Sequence, residues 1–249
     1  GNGYREVVLT GIHLSSYGQD TGDTLLHLIE RVHDIEGIAR IRLGSLEPRI
    51  VTEEFVRRLS ELPKVCAHFH LSLQSGCDTV LERMNRRYDT AEYERGCSLL
   101  RSYFTHPAIT TDVIVGFPGE TDAEFALTEK YLEKIHFYEM HIFKYSRREG
   151  TKAAAMPDQI PEQIKTKRSA ALLALAEKMS AEFRDYYIGK EVKALLEEEL
   201  FIDGKRYYTG YTAEYVKVAC EAGGVHANEF VSGQITGRLT ENIYLLVEF

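Results

Sequence analysis

At 249 residues the chain is sized for one or two domains, and a length of this order can remove roughly 70 to 75% of the unfolded surface from water, so burial is not limiting. Thirty Lys and Arg against 38 Asp and Glu give a net charge of −8, which excludes attachment to nucleic acid or membrane by bulk charge and leaves any such contact to a local patch. Cys66, Cys77, Cys97 and Cys220 lie 11, 20 and 123 positions apart. They miss the spacing of about two to four residues that zinc knuckles and iron–sulfur motifs favour, and they are too sparse for a disulfide scaffold, so a reduced, cytoplasmic chain is expected. The apolar runs, of which AALLALA at 170–176 is the longest, fall well short of the roughly 20 residues a membrane span needs.

The chain opens on GNGYREVVLTG, without a methionine and straight into a strand, as an excised piece would. A strand is expected over 6–10, then an amphipathic helix over 24–35 with Leu25, Leu28, Ile29, Val32 and Ile35 at helical spacing. A strand at 38–43 and a helix at 52–62 capped by Thr52 follow. The third strand spans 67–73, after which Asp78 is placed to cap a short helix and Asp89 or Thr90 a longer one. The fourth strand covers 109–115, Thr121 and Glu124 form a capping box for the next helix, and a fifth strand covers 137–145. Such alternation predicts right-handed βαβ units and a parallel sheet or barrel, with too few strands to close a ring of eight. Residues 161–187 read as one long helix, and from residue 188 short β-branched and aromatic runs separated by Gly204, Gly210, Gly223-Gly224, Gly233 and Gly237 predict a small all-β barrel.

In a parallel α/β barrel the chemistry sits after the C-terminal ends of the strands. Those segments are LTGIHLSSYG (9–18), IRLGSLEP (41–48), HLSLQSGCD (70–78), TTDVIVGFPGET (110–121) and FKYSRREGT (143–151). Gly116 and Gly119 around Phe117-Pro118 let backbone approach a flat ligand, with the following helix N-terminus aimed at the same place, although such a turn is also an ordinary strand-to-helix connection. Ser72, Gln74 and Ser75 offer hydroxyl and amide groups for a polar ligand or for loop caps.

In this order and spacing these segments resemble the radical S-adenosylmethionine methylthiotransferases, and GYTAEYVKV (210–218) resembles their terminal TRAM domain. SLEP and GIHLSSYG resemble the branch acting on N6-threonylcarbamoyladenosine beside the tRNA anticodon; the sister branches act on isopentenyladenosine in tRNA or on a ribosomal-protein aspartate. The resemblance implies an α/β fold with a partial radical-SAM (β/α) barrel at 1–156 lacking its first β/α unit. A linker and long helix at 157–187 and a TRAM-like RNA-binding β-barrel at 188–249 would follow. It implies S-adenosylmethionine and two 4Fe-4S clusters in the parent enzyme, with the cluster cysteines outside this chain, so that the fragment alone is inactive. Partners implied are the tRNA anticodon loop and an electron donor, with no membrane.

By the same resemblance, Thr10, Gly11 and Ile12 meet the methionyl amine and Ser45 and Glu47 face the same cavity. Ser72, Gln74 and Arg86 hold ribose and carboxylate, Asp112, Val115, Gly116 and Phe117 flank the adenine, and Phe143 and Tyr145 close over it. The implied reaction is reductive cleavage to a 5′-deoxyadenosyl radical, hydrogen abstraction at carbon-2 of the modified adenine, and methylthio insertion. The alternatives are a sister-branch enzyme, a non-catalytic RNA-binding module, or an unrelated α/β-barrel enzyme with an appended β-domain.

His68 and His70 alternate on one face of strand three, but no third ligand for a metal is evident in the sequence. Cys77 reads as a small residue at a helix start. Arg147 and Arg148 are candidates for RNA phosphate. The β-domain, 188–249, carries six Lys or Arg against ten Asp or Glu, net −4. RNA contact there requires one face bearing Lys205, Arg206 and Lys217 with exposed Tyr207, Tyr208, Tyr211 or Tyr215, and Glu197 to Glu199 turned away.

Overall fold

The computed structural model describes residues 3–248, so Gly1, Asn2 and Phe249 of the expected domain limits lie outside it. Five parallel strands alternate with helices in the first part of the chain: β1 (Glu6–Leu9), α1 (Leu25–His33), β2 (Arg40–Leu43), α2 (Glu53–Ser60), β3 (His68–His70), α3 (Asp78–Arg83), α4 (Thr90–Tyr103), β4 (Ala108–Val115), α5 (Asp122–Ile135) and β5 (Glu139–Lys144). β1 pairs with β2 and β3-β4-β5 form a second ladder. Single bridges Ile41–Val65 and Leu46–Leu71 join the two, so the strands run as one open arc in chain order. Among the described residues β1 pairs with β2 alone, which leaves its outer edge open.

Alternation along each strand separates two faces. Ile41, Leu43, Phe69, Ile109, Val113, Val115 and Met140 join Ile29, Val56, Leu59, Tyr93, Leu100 and Leu132 of the helices in the main core. The residues between them, Glu6, Arg40, Arg42, His68, His70, Thr110, Asp112, Glu139, His141 and Phe143, line the concave side. The helix starts are built locally: Thr52 accepts from Phe55 N at 3.3 Å, and Thr121 and Glu124 close a reciprocal capping box on α5. Asp78 does not cap α3; Cys77 holds that position without a side-chain bond, and Asp78 Oδ1 instead accepts from Thr90 N at 2.8 Å, tying α3 to the start of α4.

A short helix α6 (Lys152–Ala155) leads to the long helix α7 (Glu162–Asp185), which lies against β4, β5 and α5. The strands β6 (Glu191–Ile202), β7 (Lys205–Tyr211), β8 (Lys217–Glu221), β9 (Phe230–Arg238) and β10 (Tyr244–Glu248) then close a five-stranded barrel in the order β10-β8-β7-β6-β9. The turn between β7 and β8 plugs the arc. Arg40 Nη1 donates to Tyr211 O at 2.7 Å, Arg42 donates to Thr212 O at 2.7 Å and Ala213 O at 2.8 Å, and Tyr138 Oη donates to Tyr215 O at 3.1 Å. Tyr215 stacks on His68 at 5.0 Å and on Tyr211 at 4.3 Å. Among the described residues no helix is long and apolar enough to cross a membrane.

Candidate functional site

The C-terminal ends of the five strands meet at the mouth of the arc, opposite the plug. After β1, Thr10, Gly11 and Ile12 are exposed, Ile12 to 96%. Gly44 N donates to Leu9 O at 2.7 Å, which draws the β2 end against this loop. Ser45 and Glu47 are exposed beside it, and Glu47 N donates to Ser15 Oγ at 2.9 Å.

Regular strand β3 ends at His70, and pairing with β4 resumes one residue out of register at Gln74, which bridges Val113 and takes a left-handed backbone, φ +73°. Its N–H donates to Asp112 O and its carbonyl accepts from Ile114 N, at 2.8 and 2.9 Å. Ser72 is half-buried with its carbonyl held by Tyr88 Oη at 2.8 Å, and Ser75 is buried against Thr128, its Oγ 3.3 Å from Thr128 Oγ1. Arg86 is exposed and forms no ion pair among the described residues.

Val115-Gly116-Phe117-Pro118-Gly119 is held from behind. Glu120 Oε1 accepts from Gly116 N at 2.9 Å and from Arg168 Nη1 of α7 at 2.7 Å, with both side chains 5% exposed or less. Arg168 also reaches Asp122 at 2.8 Å. Burial pushes the Glu120 carboxyl up, against the pull of Gly116 N–H and Arg168. Gly116 has φ +71°, and a Cβ there would lie 2.2 Å from Lys165 Cγ, so glycine is required by the turn and by α7. Phe117 is buried against Cys77 and Val80, edge-on to Tyr145 at 5.3 Å, so its side chain is packing, and its carbonyl accepts from Glu120 N at 2.9 Å. Phe143 offers a ring that is 53% exposed.

Asp112 lies deeper, between His70 of β3 and His141 of β5: His70 Nε2 is 3.4 Å from Asp112 Oδ2, and the two imidazoles are 5.9 Å apart. The third ligand that sequence could not supply to His70 is therefore on the neighbouring strands. His68 is separate from it, stacked on Tyr215.

The expected basic face of the second barrel does not form. Neighbours on a strand point opposite ways, so Lys205 lies with Tyr207, Tyr211 and Lys217 while Arg206 lies with Tyr208 on the other side. Far from turning away, the glutamates pair with these cations: Lys217 with Glu198 at 3.1 Å, Arg206 with Glu199 at 3.3 Å, and Lys205 with Glu221 at 3.2 Å. Tyr207 is buried, and Tyr211 and Tyr215 belong to the stack that meets the arc. Arg147 donates to Ala154 O at 2.8 Å and shapes its own loop, whereas Arg148 is exposed and forms no ion pair among the described residues. With Arg49, Arg86, Arg87 and Lys152 it belongs to the segments following β2, β3 and β5, at the mouth end of the arc.

The radical SAM superfamily model matches residues 1–132. The chain belongs to the radical SAM superfamily. It is 39% identical over 241 residues, 97% of its length and 54% of the relative's, to a threonylcarbamoyladenosine tRNA methylthiotransferase of Thermotoga maritima. A protein of the same name from Bacillus subtilis is 39% identical over 220 residues, and a tRNA-2-methylthio-N6-dimethylallyladenosine synthase of Acetivibrio thermocellus is 39% identical over 197. The chain spans about half the length of these curated relatives. Among solved structures, coproporphyrinogen III oxidase of Escherichia coli, a radical SAM enzyme, shares the fold at TM-score 0.50 and 18% identity, over 62% of this chain and 37% of that one.

The arc is thus a partial radical SAM barrel. Its mouth fits S-adenosylmethionine in donor chemistry: Arg86 for a carboxylate, Glu47 for an amine, Ser72 and Gln74 for hydroxyls, and Phe143 for a flat ring. Among the described residues an iron–sulfur cluster finds no ligand set. All four cysteines are buried and apart, and burial pushes Cys66 up to about 11 and Cys97 and Cys220 up to about 12, far from thiolate. Arg40, Arg42, Glu120 and Arg168, which organise the two ends of the arc, were not singled out from sequence; Arg40 and Arg42 alternate on a strand, and that spacing alone signals a shared face.

Proposed function

We propose that this chain is the S-adenosylmethionine-holding part of an enzyme that methylthiolates carbon-2 of N6-threonylcarbamoyladenosine beside the tRNA anticodon. What carries the reading is the identity of 39% over nearly the whole chain to the Thermotoga protein of that name, where the dimethylallyladenosine relative matches over 78%. On this reading the barrel runs to residue 156, the linker and long helix to 187, and a TRAM-like barrel from 188, a division that the run of α7 from Glu162 to Asp185 and the start of β6 at Glu191 support.

S-adenosylmethionine, with a reduced 4Fe-4S cluster held by the rest of the parent protein, supplies a one-electron route to hydrogen abstraction at an unactivated carbon. This chain's residues orient it. Arg86 pairs with the carboxylate in a fork, Glu47 and the Thr10–Ile12 backbone take the amine, and Ser72 and Gln74 take the ribose. The edges of Val115, Gly116 and Phe117 flank the adenine, with Phe143 and Tyr145 above it. The Glu120–Arg168 pair keeps Gly116 in place while the cofactor binds. A loop base has to leave its stack to enter the mouth, and the rim cations, with Arg148 foremost, meet its phosphates.

The full-length protein, expressed in a strain lacking its own enzyme, should restore the methylthio group on threonylcarbamoyladenosine in digested tRNA measured by mass spectrometry. Modification of dimethylallyladenosine alone would overturn the substrate assignment. In the same assay Arg86→Ala should cut turnover at least tenfold through weakened cofactor binding.

A further inference from the structure

On the concave face of the arc, three adjacent strands each contribute one metal-ligating side chain: His70 of β3, Asp112 of β4 and His141 of β5. Register makes the meeting unavoidable. His70 pairs with Thr110, two residues before Asp112, and Asp112 pairs directly with His141. One donor atom from each lies within 4.8 Å of the other two. Cys66, Cys77, Cys97 and Cys220 take no part, since they are buried elsewhere.

The pair His70 Nε2 and Asp112 Oδ2, at 3.4 Å, is long for a hydrogen bond. It matches what two ligands share around one ion, since bonds of about 2.0 to 2.1 Å at the tetrahedral angle hold their donor atoms about 3.3 Å apart. His70 is prepared for this role by its other nitrogen. Nδ1 lies 2.9 Å from Thr110 Oγ1, and with Nδ1–H donating to that oxygen, Nε2 keeps its lone pair for the cavity. His141 is exposed on the same face, with its ring inclined 28° to that of His70 and the centroids 5.9 Å apart.

We propose that His70, Asp112 and His141 form a binding site for a first-row divalent transition metal, with the remaining coordination positions open on the concave side of the arc. Two imidazoles and one carboxylate are a set taken by Zn2+ and by Fe2+, and three protein ligands on one side leave room for a water or for an oxygen of a bound molecule. The site lies deeper in the arc than the strand-end loops, needs none of the residues assigned to S-adenosylmethionine except Asp112, and stands whether or not the tRNA substrate is correctly named.

The test uses the chelator-stripped 249-residue chain titrated with Co2+, followed by visible absorption, with Zn2+ and Fe2+ as competitors. The expected result is one ion per chain, visible bands of four- or five-coordinate Co2+, and displacement by Zn2+ or Fe2+, the stronger competitor naming the metal. His141→Ala and Asp112→Asn should each weaken binding more than tenfold, and Thr110→Val about tenfold, through the hydrogen bond that orients His70. His226→Ala, an exposed histidine of the second barrel, should change nothing. His141 is on the surface, so its variant keeps the melting temperature of the parent chain. No saturable 1:1 binding below millimolar Co2+, or binding indifferent to His141→Ala, would overturn the site and leave the three side chains as a polar cavity wall.

Discussion

Arg42 of β2 donates to the carbonyl of Thr212, 170 residues further along the chain, at 2.7 Å. The same guanidinium reaches Ala213 O at 2.8 Å and Glu6 Oε1 at 2.7 Å, and it lies over the Tyr215 ring at 4.7 Å. One buried cation thus joins the edge strand of the arc to the plug of the second barrel.

Arg42→Met should cost about 3 to 5 kcal/mol, because it strands the Glu6 carboxylate and two carbonyls in a buried seam. Urea unfolding followed by both tyrosine fluorescence and circular dichroism should show the two barrels melting apart, where the parent chain melts once. An unchanged single transition would show the seam to be dispensable.

At the opposite end, Arg168 plays the corresponding role for the Gly116 loop. Arg168→Met leaves Glu120 buried without its countercharge and should cost a similar few kcal/mol. Glu120→Gln keeps the shape and the Gly116 N–H bond, so its loss should be smaller. In the full-length protein the first variant should raise the KM for S-adenosylmethionine by more than it lowers kcat, since in the proposed binding mode the loop meets the cofactor but no reacting carbon.

Acid should weaken a third contact in a defined window. Arg83 donates to both oxygens of Glu124 at 2.9 Å, and these bonds hold the Glu124 carboxyl down at about 2 from an ordinary 4.5. A depressed folded pKa means stability that is complete above about pH 4.5 and drains away as pH falls towards 2. Glu124→Gln should therefore be less stable than the parent at neutral pH, with the difference closing on acidification. A gap that stays constant down to pH 2 would contradict the assignment.

The cysteines give a simple check on burial. With burial holding Cys66, Cys97 and Cys220 protonated and Cys77 packed on Phe117, the native chain should react with Ellman's reagent far more slowly than unfolded chain, which should titrate all four thiols. Fast reaction of one thiol in native buffer would identify an opening that the fold does not show.

The strand and helix order was legible because its signals are local. Thr52 and the Thr121 to Glu124 box sit within one turn of the groups they satisfy, and the core positions recur at the period of their element. Asp78 misled because a donor remote in sequence claims its carboxylate: Oδ1 accepts from Thr90 N, twelve residues on. Arg42, Arg168 and the pairing of His70 with Asp112 and His141 were not legible, since each joins strands or helices whose register only the assembled sheet defines. The failure of the basic face differs, because Lys205 and Arg206 are adjacent, and adjacency on a strand already forbids a shared face. The cofactor segments were readable as strand ends, but which of their side chains stay free was not, and Phe117 turned inward.

S-adenosylmethionine binding at the strand-end mouth would be reported by the backbone amides that line it. Backbone amide shifts of the 15N-labelled chain, recorded with millimolar S-adenosylhomocysteine, test it most directly. Saturable shifts are expected at Gly11, Ile12, Ser45, Ser72, Gln74, Gly116 and Phe117, all lost in Arg86→Ala at the same ligand concentration. Saturable shifts confined to other surfaces, or none in the folded chain, would contradict it.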